Sequence, residues 1–598
     1  MNRLTRNGLN YVARYVSLFA CMTVGVSPVH AQEDEKSHAQ EDVPVTATDE
    51  PTAEPVESKH DSVSLLLDEI VVTATRTPMR SFDAPYSTVT LDQQLLNRRT
   101  YRTTPEAMRD IPGIMVQKTS HGQGSPFIRG FTGFRNVFLI DGIRLNNSVF
   151  RDGPNQYWNT VDSYSIDRLE VTKGSSSVLY GSDAIGGTVG ALTLRPYSYG
   201  EGVHVNGRAL YRYSSAEDSN VGRAELSVGA GHRFGLLLGL TGKDFGDVKA
   251  GGSTDLQRNT GYREYDIDVK SEFFLSETAR LVFAYQRVRQ NNVPRTHKTT
   301  ASKSFRGTTL GKERRRDLDQ ERNLAYVQFH AEELDGPFRE LHASVSWQVQ
   351  EETRDRIRSS GARDLQGFEV GTLGLWVQAS SDTPIGVVTY GGEYYRDTIS
   401  SFSTRNSIQG PIADDAKYDL LGLYVQDTIN FSDRLTLIAG GRFSYARVDA
   451  NSVQDPQTGN RISIQDDWSS FVGSGRLTFA AVPEHLNIFG GISQGFRAPN
   501  LSDLTRLDSN RTNEIETPAP GLDPERFISY EIGLKAHGSW LSGWSTTASF
   551  FYTDISDMII RAPTGQIVDM ENEVTKRNAG DGFVQGIEFA AQVHPHPD

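Results

Sequence analysis

Leu179-Tyr180-Gly181-Ser182-Asp183-Ala184-Ile185-Gly186-Gly187 is the stretch on which the reading of this 598-residue chain turns. Three glycines in nine residues mark a backbone that must turn tightly or let another group come close. A phosphate cradle has that look, but no Gly-Lys-Ser/Thr closes a P-loop here. A nucleophile elbow fails too, because Gly174-Ser175-Ser176-Ser177-Val178 lacks the final glycine. The glycines therefore read as structural, and no enzyme centre elsewhere in the chain competes with that reading; the expectation is no catalytic residue, bound cofactor or metal.

Working outward from the glycines, four more short segments stand upstream in order. Ile111-Pro112-Gly113-Ile114 is a turn, Ile128-Arg129-Gly130-Phe131 a strand end, and Leu139-Ile140-Asp141-Gly142 a hairpin signal through its Asp-Gly pair. Asp167-Arg168-Leu169-Glu170-Val171 is a strand that leads to Lys173-Gly174. Five such segments within about 90 residues resemble the plug domain of the TonB-dependent outer-membrane receptors. The resemblance implies plug-core roles for Pro112, Gly113, Arg129, Gly130, Asp141, Gly142, Arg168, Glu170, Lys173, Gly174, Tyr180, Gly181, Gly186 and Gly187. Two departures stand out. Lys173 replaces the family's usual arginine and so loses the bidentate fork, and Thr188-Val189 lacks the asparagine that often follows the glycine pair.

Ahead of this region the chain reads as export machinery. Arg3, Arg6 and Arg14 precede an apolar stretch at 15–26, and Val29-His30-Ala31 precedes Gln32, so 1–31 reads as a signal peptide. Leu18-Phe19-Ala20-Cys21 is a poor lipoprotein box, and Cys21 is the only cysteine, which leaves the mature chain without thiol chemistry. Residues 32–67 are rich in Asp, Glu, Thr, Ser and Pro and read as a disordered leader. Asp68-Glu69-Ile70-Val71-Val72-Thr73-Ala74 then offers a β-prone run that a partner's sheet can capture by strand addition. An ordinary first strand would satisfy the same heptad. Given the plug-like segments, it resembles the family's TonB box, which implies the inner-membrane TonB protein as partner.

Beyond residue 203 the pattern is alternation. Leu435, Leu437, Ala439, Phe443 and Tyr445 share one face, with Thr436, Arg442 and Ser444 on the other. Trp544, Ala548, Phe550 and Tyr552 oppose Ser545, Thr547, Ser549 and Thr553 in the same way. Apolar-out, polar-in strands of about ten residues are what a barrel wall in lipid requires. The mean hydropathy of −0.45 excludes a helical membrane bundle but suits such a wall. Sixteen strands are expected, starting near 203, 220, 234, 262, 279, 321, 338, 364, 384, 419, 434, 466, 484, 525, 544 and 580. The expected fold is thus an α+β plug domain (80–197) inside an antiparallel transmembrane β-barrel (203–598). The family resemblance implies 22 strands, so about 16 imply a barrel shortened at its C-terminal end.

The cargo is read from fewer residues. The net charge is −14, yet the 294–316 loop carries eight basic residues against Glu313. Such a loop suits an anionic ligand such as a ferric siderophore. Phe496-Arg497-Ala498-Pro499 resembles a box emphasised in the haem branch of the family, and His121 and His297 are candidate axial ligands for haem iron. The candidate ligand contacts are His121, Tyr157, Trp158, Arg295, His297, Arg306 and Arg497. Together these residues predict an outer-membrane receptor importing an iron complex, with haem/haemoglobin or cobalamin as alternatives and a passive porin or non-functional barrel fragment as the competing class. The expected partners are TonB, an iron chelate or haem, and outer-membrane lipid; neither nucleic acid nor a second copy is expected.

Overall fold

The computed structural model describes residues 69–593 apart from 100, 155, 198, 305–306, 308, 512 and 540–542. The signal (1–31), the stretch 32–67 of the leader, Asp68 and Arg306 lie outside the described residues. One compact unit, 60–598, contains everything that follows.

The plug is built on a five-stranded mixed sheet. Its spatial order is Ser87–Asp92, Ile166–Lys173, Gly187–Thr193, Asn136–Ile140 and Ile143–Arg144. Only the pair Asn136–Ile140 and Gly187–Thr193 is parallel. Asp141 and Gly142 form the two-residue turn between Asn136–Ile140 and Ile143–Arg144, both at positive φ (48° and 81°), as a type I′ hairpin requires. A separate hairpin joins Ile114–Ser120 to Gln123–Ile128. Short helices Gln93–Arg99, Thr104–Ala107 and Ser177–Tyr180 pack beside the sheet, and Pro105 sits in the first turn of the second, where its missing N–H costs nothing. Phe134, Phe138, Phe150, Tyr157 and Trp158 are among the fully buried residues of the core.

Around the plug runs one antiparallel sheet of sixteen strands, from Val203–Ser214 to Gly582–Val593. Every strand pairs with the next wall strand in sequence. Starts at 203, 219, 234, 262, 279, 386, 435, 525 and 544 fall within two residues of those expected from alternation. The strand expected near 321 begins instead at Arg315, and those near 419 and 466 begin at Asp414 and Arg461. These three strands rise beyond the lipid into polar surroundings, where the two-residue apolar rhythm stops. Arg461–Val482 has 22 residues, about twice what a tilted strand needs to cross a bilayer.

The two faces of the wall differ as expected. Phe443 and Phe550 are exposed while Arg442, Ser444, Ser549 and Thr553 are buried against the plug. Val345, Trp347, Phe471, Ile492 and Ile532 continue the exposed apolar band, an area that a water-soluble protein would hide. No helix among the described residues is long and apolar enough to cross a membrane.

The plug touches the wall from Arg223 on the second strand to Glu588 on the sixteenth, so the sheet curls round it. Among the described residues the first and last strands pair on one side only. Four further strands were not foreseen: Asp508–Arg511, Glu514–Thr517, Ile559–Val568 and Glu571–Asn578 form a small sheet in the connections that follow the thirteenth and fifteenth wall strands.

Candidate functional site: the plug–wall interface and the docked leader

Two buried charge networks fix the plug to the wall. In the first, Arg129 donates to Glu531 Oε1 at 2.6 Å and to Glu588 at 3.1 Å, and its guanidinium lies over the Phe551 ring. Lys173 Nζ lies 2.7 Å from Glu588 Oε2 and donates to the Pro112 carbonyl, while Arg476 reaches Glu531 at 2.8 Å. Three cations thus share two wall carboxylates. Lys173 makes one carboxylate contact and one carbonyl contact, so the point charge serves where a fork is usual. Gly113 is required in this corner: its φ is +81°, and a Cβ there would lie 2.0 Å from Glu588 Oε1. Gly130 and Gly174 complete the turns beside Arg129 and Lys173, also at positive φ.

In the second network, Arg135 pairs with Glu525, which also accepts from Arg497 Nε at 2.6 Å. Arg497 Nη1 donates to Asp503 at 2.6 Å, and Lys576 reaches the other oxygen of Asp503 at 2.6 Å. Arg497 is 0 % exposed and stacked over Phe134. Arg497, read as a candidate ligand contact, is placed inside this network, and the Phe496-Arg497-Ala498-Pro499 segment clamps the plug, with Ala498 N donating to Ser182 Oγ in the glycine-rich stretch. In that stretch Gly181 (φ +70°) lets Arg442 pass, since a Cβ would stand 2.7 Å from its Nη2. Gly186 and Gly187 lead directly into the strand Gly187–Thr193. Asp141 is tied to both bodies, accepting from Thr193 N and Oγ1 and from Tyr326 OH at 2.6 Å.

The leader end is held by a different arrangement. Ile70–Val71 pairs antiparallel with Met79–Arg80. Val72 N and Thr73 N both donate to Glu170 Oε2, at 3.0 and 2.7 Å, and Tyr180 OH donates to the Thr73 carbonyl at 2.9 Å. Arg168 Nε stands 3.0 Å from the other Glu170 oxygen. Ala74 is buried, Arg76 pairs with Glu393 at 2.8 Å, and Gln378 and Gln426 hold the carbonyls of Arg76 and Thr75. Burial pushes the Glu69 carboxyl up to about 7, against smaller opposing effects of Thr90 and Arg168.

At the opposite rim the candidate ligand contacts divide. His121 is buried edge-on against Phe245 and Tyr262, with Nε2 3.3 Å from Glu217 Oε2, and burial lowers its pKa. His297 is exposed, with Nδ1 2.7 Å from the Thr119 carbonyl. Of the two candidate haem ligands, His121 is thus enclosed beside a carboxylate while His297 is exposed. Tyr157 and Trp158 are 0 % and 2 % exposed, packed on Phe150 and Phe138. Arg295 remains. It lines a small cleft with Arg151, Arg316, Arg354 and Arg506, against Glu352 and Asp508. Burial above all, and then the neighbouring Arg151, push the Arg295 guanidinium down to about 10.

The wall carboxylates Glu525, Glu531 and Glu588 and the plug residues Arg135 and Asp162, the latter paired with Arg223 and Lys243 of the wall, were not singled out from sequence. Their one signal there is a charge at an inward position of an alternating strand or beside a turn, and the partner is set by a register the sequence does not display.

A plug fastened inside an antiparallel membrane-crossing sheet, with a leader strand docked at one rim, defines a gated outer-membrane receptor. Residues 80–188 match the family described as TonB-dependent Receptor Plug Domain, and residues 265–594 match TonB dependent receptor-like, beta-barrel. The chain belongs to the TonB-dependent receptors of the Gram-negative outer membrane, a family of receptors and transporters. It is 22% identical to the hemin receptor of Yersinia pestis over 82% of this chain and 69% of that one. Identity to the ferric enterobactin receptor PirA of Pseudomonas aeruginosa is 23%, over 91% and 78% of the two chains. The solved Serratia marcescens hemophore receptor HasR, in complex with its hemophore HasA and heme, superposes with a TM-score of 0.71 at 17% identity, over 85% of this chain and 80% of that one.

Proposed function

We infer that this receptor imports an anionic iron complex, a ferric siderophore before haem or cobalamin, and that its leader is the segment TonB captures. The observation that carries the ligand reading is the arginine cluster at the root of the basic 294–316 loop: five guanidiniums gather round Glu352 and Asp508, with Glu313 on Arg316, and Arg295 is driven below its ordinary value. Such a cleft gains most from a ligand that brings negative charge. The enclosure of His121 weighs against haem, although relatives are named for hemin as well as for ferric enterobactin.

Ligand bound at the arginine cleft perturbs the plug apex through Arg151, which pairs with Glu352 at 2.6 Å. The leader, held mainly at Glu170, detaches and offers Glu69 to Ala74 as a strand for addition to TonB. Asp68 and the residues before it supply the tether, 1–31 being removed on export. Work from the inner membrane then remodels the plug, so the operative quantity is local unfolding free energy and not a catalytic pKa.

The experiment is growth under iron limitation on a panel of ferric siderophores, haem and cobalamin, with Arg295→Glu as the variant. A siderophore-dependent rescue lost in Arg295→Glu supports the reading. Rescue by haem alone, unchanged in the variant, overturns it.

A further inference from the structure

The rim of the wall nearest the docked leader carries two histidines that transport leaves unused. His330 on Arg315–Ala331 and His342 on Glu340–Ile357 are direct cross-strand partners. Side chains alternate, so the even-numbered residues of both strands face the plug, and Glu332 and Glu340 come to the same side two positions along. Antiparallel pairing thereby turns His330-Ala331-Glu332 and Glu340-Leu341-His342 into one face with two imidazoles and two carboxylates.

The geometry within that face is close to a ligand set. The two Nδ1 atoms stand 2.9 Å apart, and His330, Glu332 and His342 each offer a ligand atom within 4.8 Å of the others. Two nitrogens on a tetrahedral ion, each about 2.05 Å from it, are roughly 3.3 Å apart, so a few tenths of an ångström of ring movement would seat one. The outer nitrogens face oxygen acceptors. His330 Nε2 faces Gln328 Oε1 at 3.2 Å, and His342 Nε2 lies 3.8 Å from Glu340 Oε2. Both outer groups are acceptors, which favours a hydrogen on each Nε2 and leaves the two Nδ1 lone pairs confronting each other. A cation between the rings relieves that contact. Arg280 Nη2 reaches Glu332 Oε1 at 3.3 Å, orienting the carboxylate with its second oxygen left to serve the ion. Access exists: His330, Glu332, Glu340 and His342 line a cavity of about 450 Å³ that also reaches Arg76 and Trp376.

We propose that His330, His342 and Glu332 form a binding site for a borderline divalent transition-metal ion such as Zn²⁺, with Gln328 and Glu340 orienting the two rings. Mixed imidazole and carboxylate donors without sulfur suit Zn²⁺, Cu²⁺, Ni²⁺ or Co²⁺, whereas Ca²⁺ and Mg²⁺ want all-oxygen shells.

The test uses the full chain, purified in detergent, stripped with a chelator and titrated with Zn²⁺ by calorimetry. One Zn²⁺ per chain is expected, weakened roughly 10- to 100-fold or more in His330→Ala and in His342→Ala, since even loss of an outer partner costs that much. His485→Ala, which alters another of the wall's histidines, should leave the affinity unchanged. X-ray absorption at the zinc edge of the unsubstituted protein should show a nitrogen/oxygen shell with two imidazoles, a readout that does not depend on variant folding. Absence of Zn²⁺ binding overturns the site, as does equal affinity in the His330→Ala/His342→Ala double variant, which would place the ion elsewhere. So does a shell with fewer than two imidazoles.

Discussion

The body of the plug and its leader are fastened to the same surroundings by different chemistry. The body is locked by networks in which several buried cations share wall carboxylates, Arg129, Lys173 and Arg476 on Glu531 and Glu588, and Arg135, Arg497 and Lys576 on Glu525 and Asp503. The leader from Ile70 to Thr73 is held by a two-residue strand pairing, two backbone hydrogen bonds to a single carboxylate, Glu170, and the Tyr180 hydroxyl on the Thr73 carbonyl, with the Arg76–Glu393 pair just beyond it. Removing one partner from a buried charge network strands the rest without water, whereas leader amides that lose Glu170 can be rehydrated on release. The contrast separates what must stay from what must leave. Under the proposed function, the body holds its place until work is done on it and the leader is the part that comes away first.

The comparison breaks most violently at Glu531. Glu531→Leu leaves Arg129 and Arg476 buried without their shared partner and should cost about 3–5 kcal/mol. Thermal unfolding in detergent reads this as a clear drop in Tm. An unchanged Tm would mean that the network does not fasten the plug.

A smaller and more local effect is expected at Glu170. Glu170→Ala removes the acceptor of Val72 N and Thr73 N and should weaken leader docking by roughly 2–3 kcal/mol, the range for a lost charged hydrogen-bond partner. Limited proteolysis should then cut near residues 70–78 faster while the global Tm moves little. Equal loss of both would erase the distinction between handle and body.

The smallest effect is a pH dependence. Burial raises the docked Glu69 carboxyl from its ordinary 4.5 to about 7, so docking favours the protonated form. Leader docking is therefore strongest below about pH 4.5 and weakens as pH rises toward 7, because the released segment ionises more readily. Glu69→Gln should remove that dependence in the same proteolysis assay, and a pH profile unchanged by the substitution would assign it to another group.

Much of the wall was legible because its signal repeats every two residues. Trp544 to Thr553 announces its faces by composition alone, and the alternation of short and long connections follows. Legibility ended where the lipid did, at Arg315-Arg316-Asp317, whose charges read as loop though they continue a strand. The plug was readable by its turns, because Gly113 and the Asp141-Gly142 pair occupy backbone conformations that few residues tolerate. The ligand contacts were not. Arg497, Tyr157 and Trp158 looked like surface candidates, yet each is buried by partners hundreds of residues away or by packing that has no sequence period. The same holds for His330 and His342, twelve residues apart in sequence and brought face to face only by the register of two strands.

The central claim, that a detachable leader passes work to a plug otherwise locked to the wall, meets its most direct test in deletion of residues 68–74. Binding of the ferric ligand to whole cells and uptake into them should be measured side by side. The account predicts that binding survives the deletion while energy-dependent uptake falls to background. Uptake undiminished by the deletion would contradict it and return the chain to the class of passive pores.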